Sequence, residues 1–202
     1  MRKSKRREEG FTLLEAVIVI GIMFVLAGMA VVQSFGSLQG YQANSAQDIV
    51  VSQLRVARQL AITQRRTVRV YIDSAPETDG RYHVKYQILS AGTQTSEKDG
   101  PIISVPLPGS TQFVLETGVP DTPMKFGNSA AVYIGNPPTA GGPTFMQFNP
   151  QGTFTDNNGS LLYGTIFIGI PSRVATARAV TIMGGTGRVR PYTYIGNNVW
   201  QE

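Results

Sequence analysis

Glu15 is a carboxylate in unusual company. It follows Gly10-Phe11-Thr12-Leu13-Leu14, and beyond it Ala16 to Val32 contain no charge. Counted from Phe11 the run is 22 residues, roughly 33 Å as a helix, enough to cross the hydrocarbon core of a bilayer. A lone acid carried to the membrane centre costs about 2.5–3.5 kcal/mol, so Glu15 needs a partner or a task. The other chemistry is sparse. His83 is the one histidine, on an alternating stretch with apolar and aromatic neighbours, and reads as an exposed strand histidine. Cysteine is absent, which removes the usual nucleophile and soft metal ligand. No HExxH, GxSxG or Walker A sequence occurs, so neither a catalytic centre nor a cofactor is expected. Gly184-Gly185-Thr186-Gly187 has no helical pattern behind it and reads as a tight hairpin. Asp156-Asn157-Asn158-Gly159 offers one carboxylate, a poor site for a hard cation, and reads as a turn. Asn158-Gly159-Ser160 matches a glycosylation sequon.

The elements that position these residues can be read from patterning. Met1 to Glu9 is a short leader with five basic and two acidic residues, which the positive-inside rule keeps in the cytoplasm. The chain of 202 residues carries +5, and loss of the leader would leave about +2. The chain beyond the apolar run is long enough for one domain of about 130–170 residues outside the membrane. With 22 glycines and 12 prolines, that domain reads as turn-rich and β-containing. A secretory signal peptide would have a shorter apolar core without Glu15 and a cleavage site after it, a part that Ala27-Gly28-Met29-Ala30 resembles. A plain signal anchor explains the run but neither Gly10 nor Glu15.

Gly-Phe-Thr-Leu-Leu-Glu behind a basic leader resembles the class III signal of type IV prepilins and type II secretion pseudopilins. The resemblance implies cleavage between Gly10 and Phe11 by a membrane peptidase, N-methylation of Phe11, and use of Glu15 in assembly. Its physical logic is simple. Cleavage puts a positive amine on Phe11, one helical turn from Glu15 and on the same face. Amine and carboxylate, within a subunit or between neighbours, neutralise each other where each alone is costly. An acid aimed at the next subunit's amine would set the axial register of a fibre.

Further along, Gln33 to Gly40 is softened by Gly36 and Gly40, each about 1 kcal/mol less helix-favouring than alanine. It reads as a flexible or kinked point rather than a domain boundary. Helical pattern resumes over 41–66, with Ile49, Val50, Leu54, Val56, Ala57, Leu60 and Ala61 on one side. Val51 and Ile62 interrupt the other side, where Arg55, Arg58, Arg65 and Arg66 gather. These arginines read either as a solvated face or as a contact for a neighbour or an anionic ligand. From Val68 the period becomes two. Strands are expected at Val68–Ile72 and Tyr82–Ile88, the latter pair a hairpin, then at Ile102–Val105, Gln112–Glu116, Ala130–Ile134, Phe145–Phe148, Tyr163–Ile170 and Ala177–Met183. Loops at Gly92–Gly100 and Gly135–Pro143 read as mobile. The expected fold is α+β, a long N-terminal helix packed on an antiparallel two-sheet domain. The expected division is a leader 1–10, a helix 11–66 that spans the membrane over 11–32, and a domain 67–202.

Three more matches extend the resemblance to the GspH/FimT subgroup. Gln53 to Ala61 resembles the end of its helix, and Phe148-Asn149-Pro150-Gln151-Gly152 is similar to its Phe-x-Pro-x-Gly turn. Ala179 to Met183 with Gly187-Arg188-Val189-Arg190 looks like its last strand and Gly-Arg-x-Arg ending. The family implies a minor, structural subunit at the tip or primer of a pseudopilus or type IV pilus. The protein is then expected in the bacterial inner membrane, single-pass, with its domain in the periplasm. Its partners are the prepilin peptidase/methyltransferase, other pilins or pseudopilins, the inner-membrane assembly platform and membrane lipid. The FimT branch implies a second reading, DNA capture in natural transformation. Arg188 and Arg190 share parity on a strand, and Tyr192, Tyr194 and Trp200 would stack on bases.

Overall fold

The computed structural model describes residues 12–73, 75–90 and 99–202 and divides into two units, Met1–Leu38 and Gln39–Glu202. One helix, α1 (Leu13–Gln64), enters both. In the first unit Leu13–Ala30 is an 18-residue apolar stretch of mean hydropathy 2.5, with none of it buried. By length and composition it is able to cross a membrane. Thr12 precedes the helix, and its Oγ1 accepts the Glu15 backbone N–H at 3.3 Å, as an N-cap does. The leader, Gly10 and Phe11 lie outside the described residues.

Gly36 and Gly40 do not break the helix, which is continuous through both. The division into units nonetheless falls between Leu38 and Gln39, where no boundary was expected. The reason is packing. From Ala43 onward α1 has a buried stripe of Ala43, Ala46, Gln47, Val50, Val51, Leu54, Ala57 and Ala61, recurring every three or four residues with adjacent pairs at 46/47 and 50/51, as a broad helix face does. Val51 belongs to this stripe, whereas Val56, expected on the apolar side, is 40% exposed. The helix ends on Arg65, a left-handed residue at φ 53°, with Arg66 N–H reaching back to the Ala61 carbonyl at 3.2 Å.

The second unit adds two antiparallel sheets. One contains β1 (Val68–Ile72), β2 (His83–Ile88), β3 (Ile102–Pro106), β6 (Met146–Phe148) and β7 (Phe154–Thr155), in the order β3-β2-β1-β6-β7. The other contains β4 (Val132–Gly135), β5 (Pro138–Ala140), β8 (Tyr163–Ile168), β9 (Arg178–Met183), β10 (Arg188–Gly196) and β11 (Val199–Gln201), in the order β11-β10-β9-β8-β4-β5. A 3₁₀ turn, Val174–Thr176, precedes β9. The α+β expectation holds. Val68, Val70, Phe148 and Phe154 of the first sheet and Ile134, Ile166, Ile168, Val180 and Ile182 of the second form one core with the helix stripe.

Three expectations are corrected. Gln112–Glu116 is not a strand. It belongs to a strap over the outer face of the six-stranded sheet, tied by a bridge between Gln112 and Gly169 and by Val114 N–H to the Phe167 carbonyl. The strap closes a second small core of Val119, Phe167, Ala177, Ala179 and Tyr192, with Met124 and Trp200 against it. Gly135–Pro143 is not a loose loop, because β4 and β5 pair within it. His83 is buried, not exposed, at 8%. Its ring nitrogens meet Ser104 Oγ at 2.7 Å and Asp79 Oδ2 at 3.0 Å, which clamps β2 to β3 and to the preceding loop. Of the loop expected at Gly92–Gly100, residues 92–98 lie outside the described residues.

Candidate functional site

Arg58 lies where the two glycine motifs of the sequence meet. The first motif makes the β6–β7 turn. Asn149 Oδ1 accepts the backbone N–H groups of Gln151 at 3.1 Å and Thr153 at 3.0 Å, an Asx turn that Pro150 favours. Gly152 closes it at φ 77°. The second motif makes the β9–β10 turn, which Gly187 closes at φ 60°. The turns abut, since a Cβ on Gly187 would strike the Gly152 carbonyl. Arg58 fills the corner between them. Its Nε donates to the Gly152 carbonyl at 3.0 Å and lies 2.7 Å from where a Gly187 Cβ would be. Positive φ and this close approach both demand glycine.

Arg55, one turn earlier on α1, reaches the Val189 carbonyl with Nη2 at 3.4 Å. The result is a cleft of about 550 Å³ lined by Arg55, Arg58, Gln59, Thr186, Gly187, Arg188 and Val189. It holds three guanidinium groups, no carboxylate and no aromatic ring. Such a site suits planar anionic groups, which guanidinium forks bind with two parallel hydrogen bonds. Arg65 and Arg66 do not line it. The helix arginines and Arg188 were two separate readings in the sequence, and the structure joins part of each set. The helical spacing of Arg55 and Arg58 was the available signal.

Arg190 goes elsewhere. With Arg188 it borders a hollow of about 210 Å³ that includes Met124, Thr181 and Met183, so the two do share a strand face. Its Nη1 meets Glu202 Oε2 at 3.3 Å. Interaction with Tyr192 first, and with Glu202, raises its pKa. The three aromatic residues expected to stack on bases are engaged within the fold. Tyr192 is buried. Tyr194 and Trp200 pack at 5.3 Å between ring centroids, and Trp200 Nε1 donates to the Pro120 carbonyl at 3.1 Å.

A second polar site ties the helix to the sheet. Buried Gln47 donates through Nε2 to the Ala179 and Tyr192 carbonyls, both at 2.9 Å. Arg178 is also buried. Its Nε donates to Asn44 Oδ1 at 2.7 Å and its Nη1 to the Ala177 carbonyl at 2.8 Å, while burial lowers its pKa.

The chain matches the family described as the prokaryotic N-terminal methylation motif over residues 5–31. No curated protein matches it. Among solved structures it is similar to the minor pseudopilin EpsH from the type 2 secretion system of Vibrio cholerae, with 16% identity and a TM-score of 0.42, over 74% of this chain and 95% of that one.

Proposed function

We propose that this protein is a pilin-like structural subunit, a minor pilin or pseudopilin of a type IV pilus or type II secretion pseudopilus, and not an enzyme. The methylation motif over residues 5–31, continuous with the exposed apolar helix Leu13–Ala30, carries the reading. The subunit waits in the bacterial inner membrane with its domain in the periplasm, in contact with lipid and the assembly platform. The prepilin peptidase/methyltransferase cleaves between Gly10 and Phe11 and methylates Phe11. Glu15 then pairs with a neighbouring pilin's terminal amine as the chain enters the tip or priming complex.

Mass spectrometry of the membrane-extracted chain tests this. The mature protein is expected to begin at N-methylated Phe11, and Gly10→Val to keep the leader. A mature start near Val31 or Val32 would mean an ordinary signal peptide and overturn the reading. DNA capture through Arg188 and Arg190 is a second reading. It is supported by the cleft that Arg188 shares with Arg55 and Arg58.

A further inference from the structure

The basic cleft beside α1 has no acid of its own to meet. Arg55, Arg58 and Arg188 line it with no carboxylate among them, and none of the three forms an ion pair among the described residues. The carboxylates described elsewhere in the second unit are taken. Lys85 pairs with Asp73 and Glu77, Asp79 meets His83, and Arg190 meets Glu202. Backbone N–H groups of Ser90, Ser172, Gly127 and Ser160 donate in turn to Asp99, Glu116, Asp121 and Asp156. Asp48 remains, exposed on α1, and one carboxylate does not balance three guanidinium groups. A second copy of the chain has its acids engaged in the same way. The charge that answers the cleft therefore comes from a different molecule.

The cleft is set up in advance for that charge. Arg58 is held from inside by its Nε bond to the Gly152 carbonyl at 3.0 Å, and Arg55 by its Nη2 bond to the Val189 carbonyl at 3.4 Å. A guanidinium carries five N–H donors, so each anchored fork keeps donors for a ligand. Anchoring also reduces the ordering that binding would otherwise require. A space of about 550 Å³ takes side chains of one loop or helix turn, and planar carboxylates match the forks.

We propose that the cleft seats closely spaced carboxylates of a different pilin-like subunit, as a contact between unlike members of the tip or priming complex. The proposal rests on the subunit reading. Arg55 and Arg58 stand on α1, the element by which the subunit joins its neighbours on that reading. Complementary charge at such a contact selects one neighbour over others and fixes its register. Nucleic acid fits less well. Its affinity grows with the number of phosphates met, yet Arg65 and Arg66 do not line the cleft and Arg190 is paired with Glu202. A single strand also needs aromatic platforms, and this cleft has none.

Gln59 lines the cleft and is exposed, so it is the place for a photocrosslinker. The full-length chain, with p-benzoylphenylalanine in place of Gln59, is expressed in its host beside the host's other pilin-like subunits. Membranes are irradiated and the adducts identified by mass spectrometry. The expected adduct is a peptide of another chain with a prepilin-type N-terminus, carrying Asp or Glu beside the crosslinked residue. Arg55→Gln with Arg188→Gln, checked for unchanged melting, is expected to lower its yield at least threefold. Changing the partner's acidic residue to Lys is expected to do the same, and Arg188→Glu in this chain to restore that loss at least threefold. A yield indifferent to these changes overturns the proposal. So do adducts solely between copies of this chain or with proteins that are not pilin-like. The absence of any protein adduct while the chain is recovered in sheared filaments overturns it too, and leaves the subunit reading intact. Loss of oligonucleotide binding in the glutamine variant, with the protein adduct unchanged, overturns it and assigns the cleft to nucleic acid. A chain never found in filaments overturns the subunit reading, and the proposal with it.

Discussion

Arg58 is half-buried, and its position makes two glycines irreplaceable. Alanine at Gly152 or Gly187 must adopt a left-handed conformation, at about 1–2 kcal/mol; at Gly152 its Cβ also meets the end of the Ile62 side chain, and at Gly187 the Arg58 side chain. At Gly187 it meets the Gly152 carbonyl as well. Gly187→Ala is therefore expected to lose about 2 kcal/mol or more of unfolding free energy, and more than Gly152→Ala, in urea titrations followed by tryptophan fluorescence. Glu15 is the opposite case. On the proposed function, Glu15→Val removes a charge from the membrane-crossing stretch, so it is expected to insert and fold at least as well as the parent yet fail to enter filaments, as measured in sheared fractions. At this scale the turn chemistry was legible, since Asn149, Pro150 and the glycines announce tight turns. Their meeting was not. Arg58 and Gly152 are 94 residues apart, and periodicity within a segment carries no information about which turn of another sheet it will face.

Helix α1 shows what an element-scale pattern can and cannot fix. Its period of 3.6 was readable from Tyr41 onward, but the centre of the buried face was misjudged by Val51 and Val56, because a polar residue sits inside the stripe. Gln47 looks like a surface residue until the Ala179 and Tyr192 carbonyls, opposite each other in the β9–β10 register, are there to receive it. Gln47→Ala is expected to cost about 1–3 kcal/mol by removing two buried hydrogen bonds that supplement the ladder bonds of these carbonyls, measured by urea unfolding of the full chain in detergent. The strap escaped the sequence reading for a related reason. Its Val114 and Leu115 look like strand residues, while its pairing is limited to one bridge and single backbone bonds. In the β1–β2 loop the charges set a pH window. Asp73 first, then Glu77, raise the Lys85 pKa above 10.5. This contribution is therefore complete below that value and lost as pH rises through the folded value. The Arg81 backbone N–H, above all, lowers the Asp79 pKa below 3.8, so its contribution is present above that value and lost as pH falls through the folded one. Limited proteolysis of the loop is expected to be slowest between these limits. Lys85→Met is expected to abolish the alkaline limb alone.

On the scale of the whole molecule, the two units differ in what their surfaces need. Residues 13–30 offer solvent an apolar surface interrupted by Glu15 alone among charged residues, whereas the unit from Gln39 onward buries its own core. That contrast was plain in the sequence, because hydropathy over 18 residues is a sum that no single neighbour can reverse. The boundary at Leu38 was not plain, since helix propensity is continuous there and packing alone makes the division.

The anchors between α1 and the sheets have a mechanical consequence. Gln47, Arg55 and Arg58 hold the helix to strands and turns over 11 residues, about 16 Å of axis. Tension applied along that axis loads all three anchors in parallel, together with the interlocked stripe from Ala46 to Ala61. The helix leaves the domain by shear, every anchor yielding at once, and not by peeling one contact at a time. A domain built this way is expected to withstand a pull along its helix without the disulfide that its cysteine-free sequence rules out.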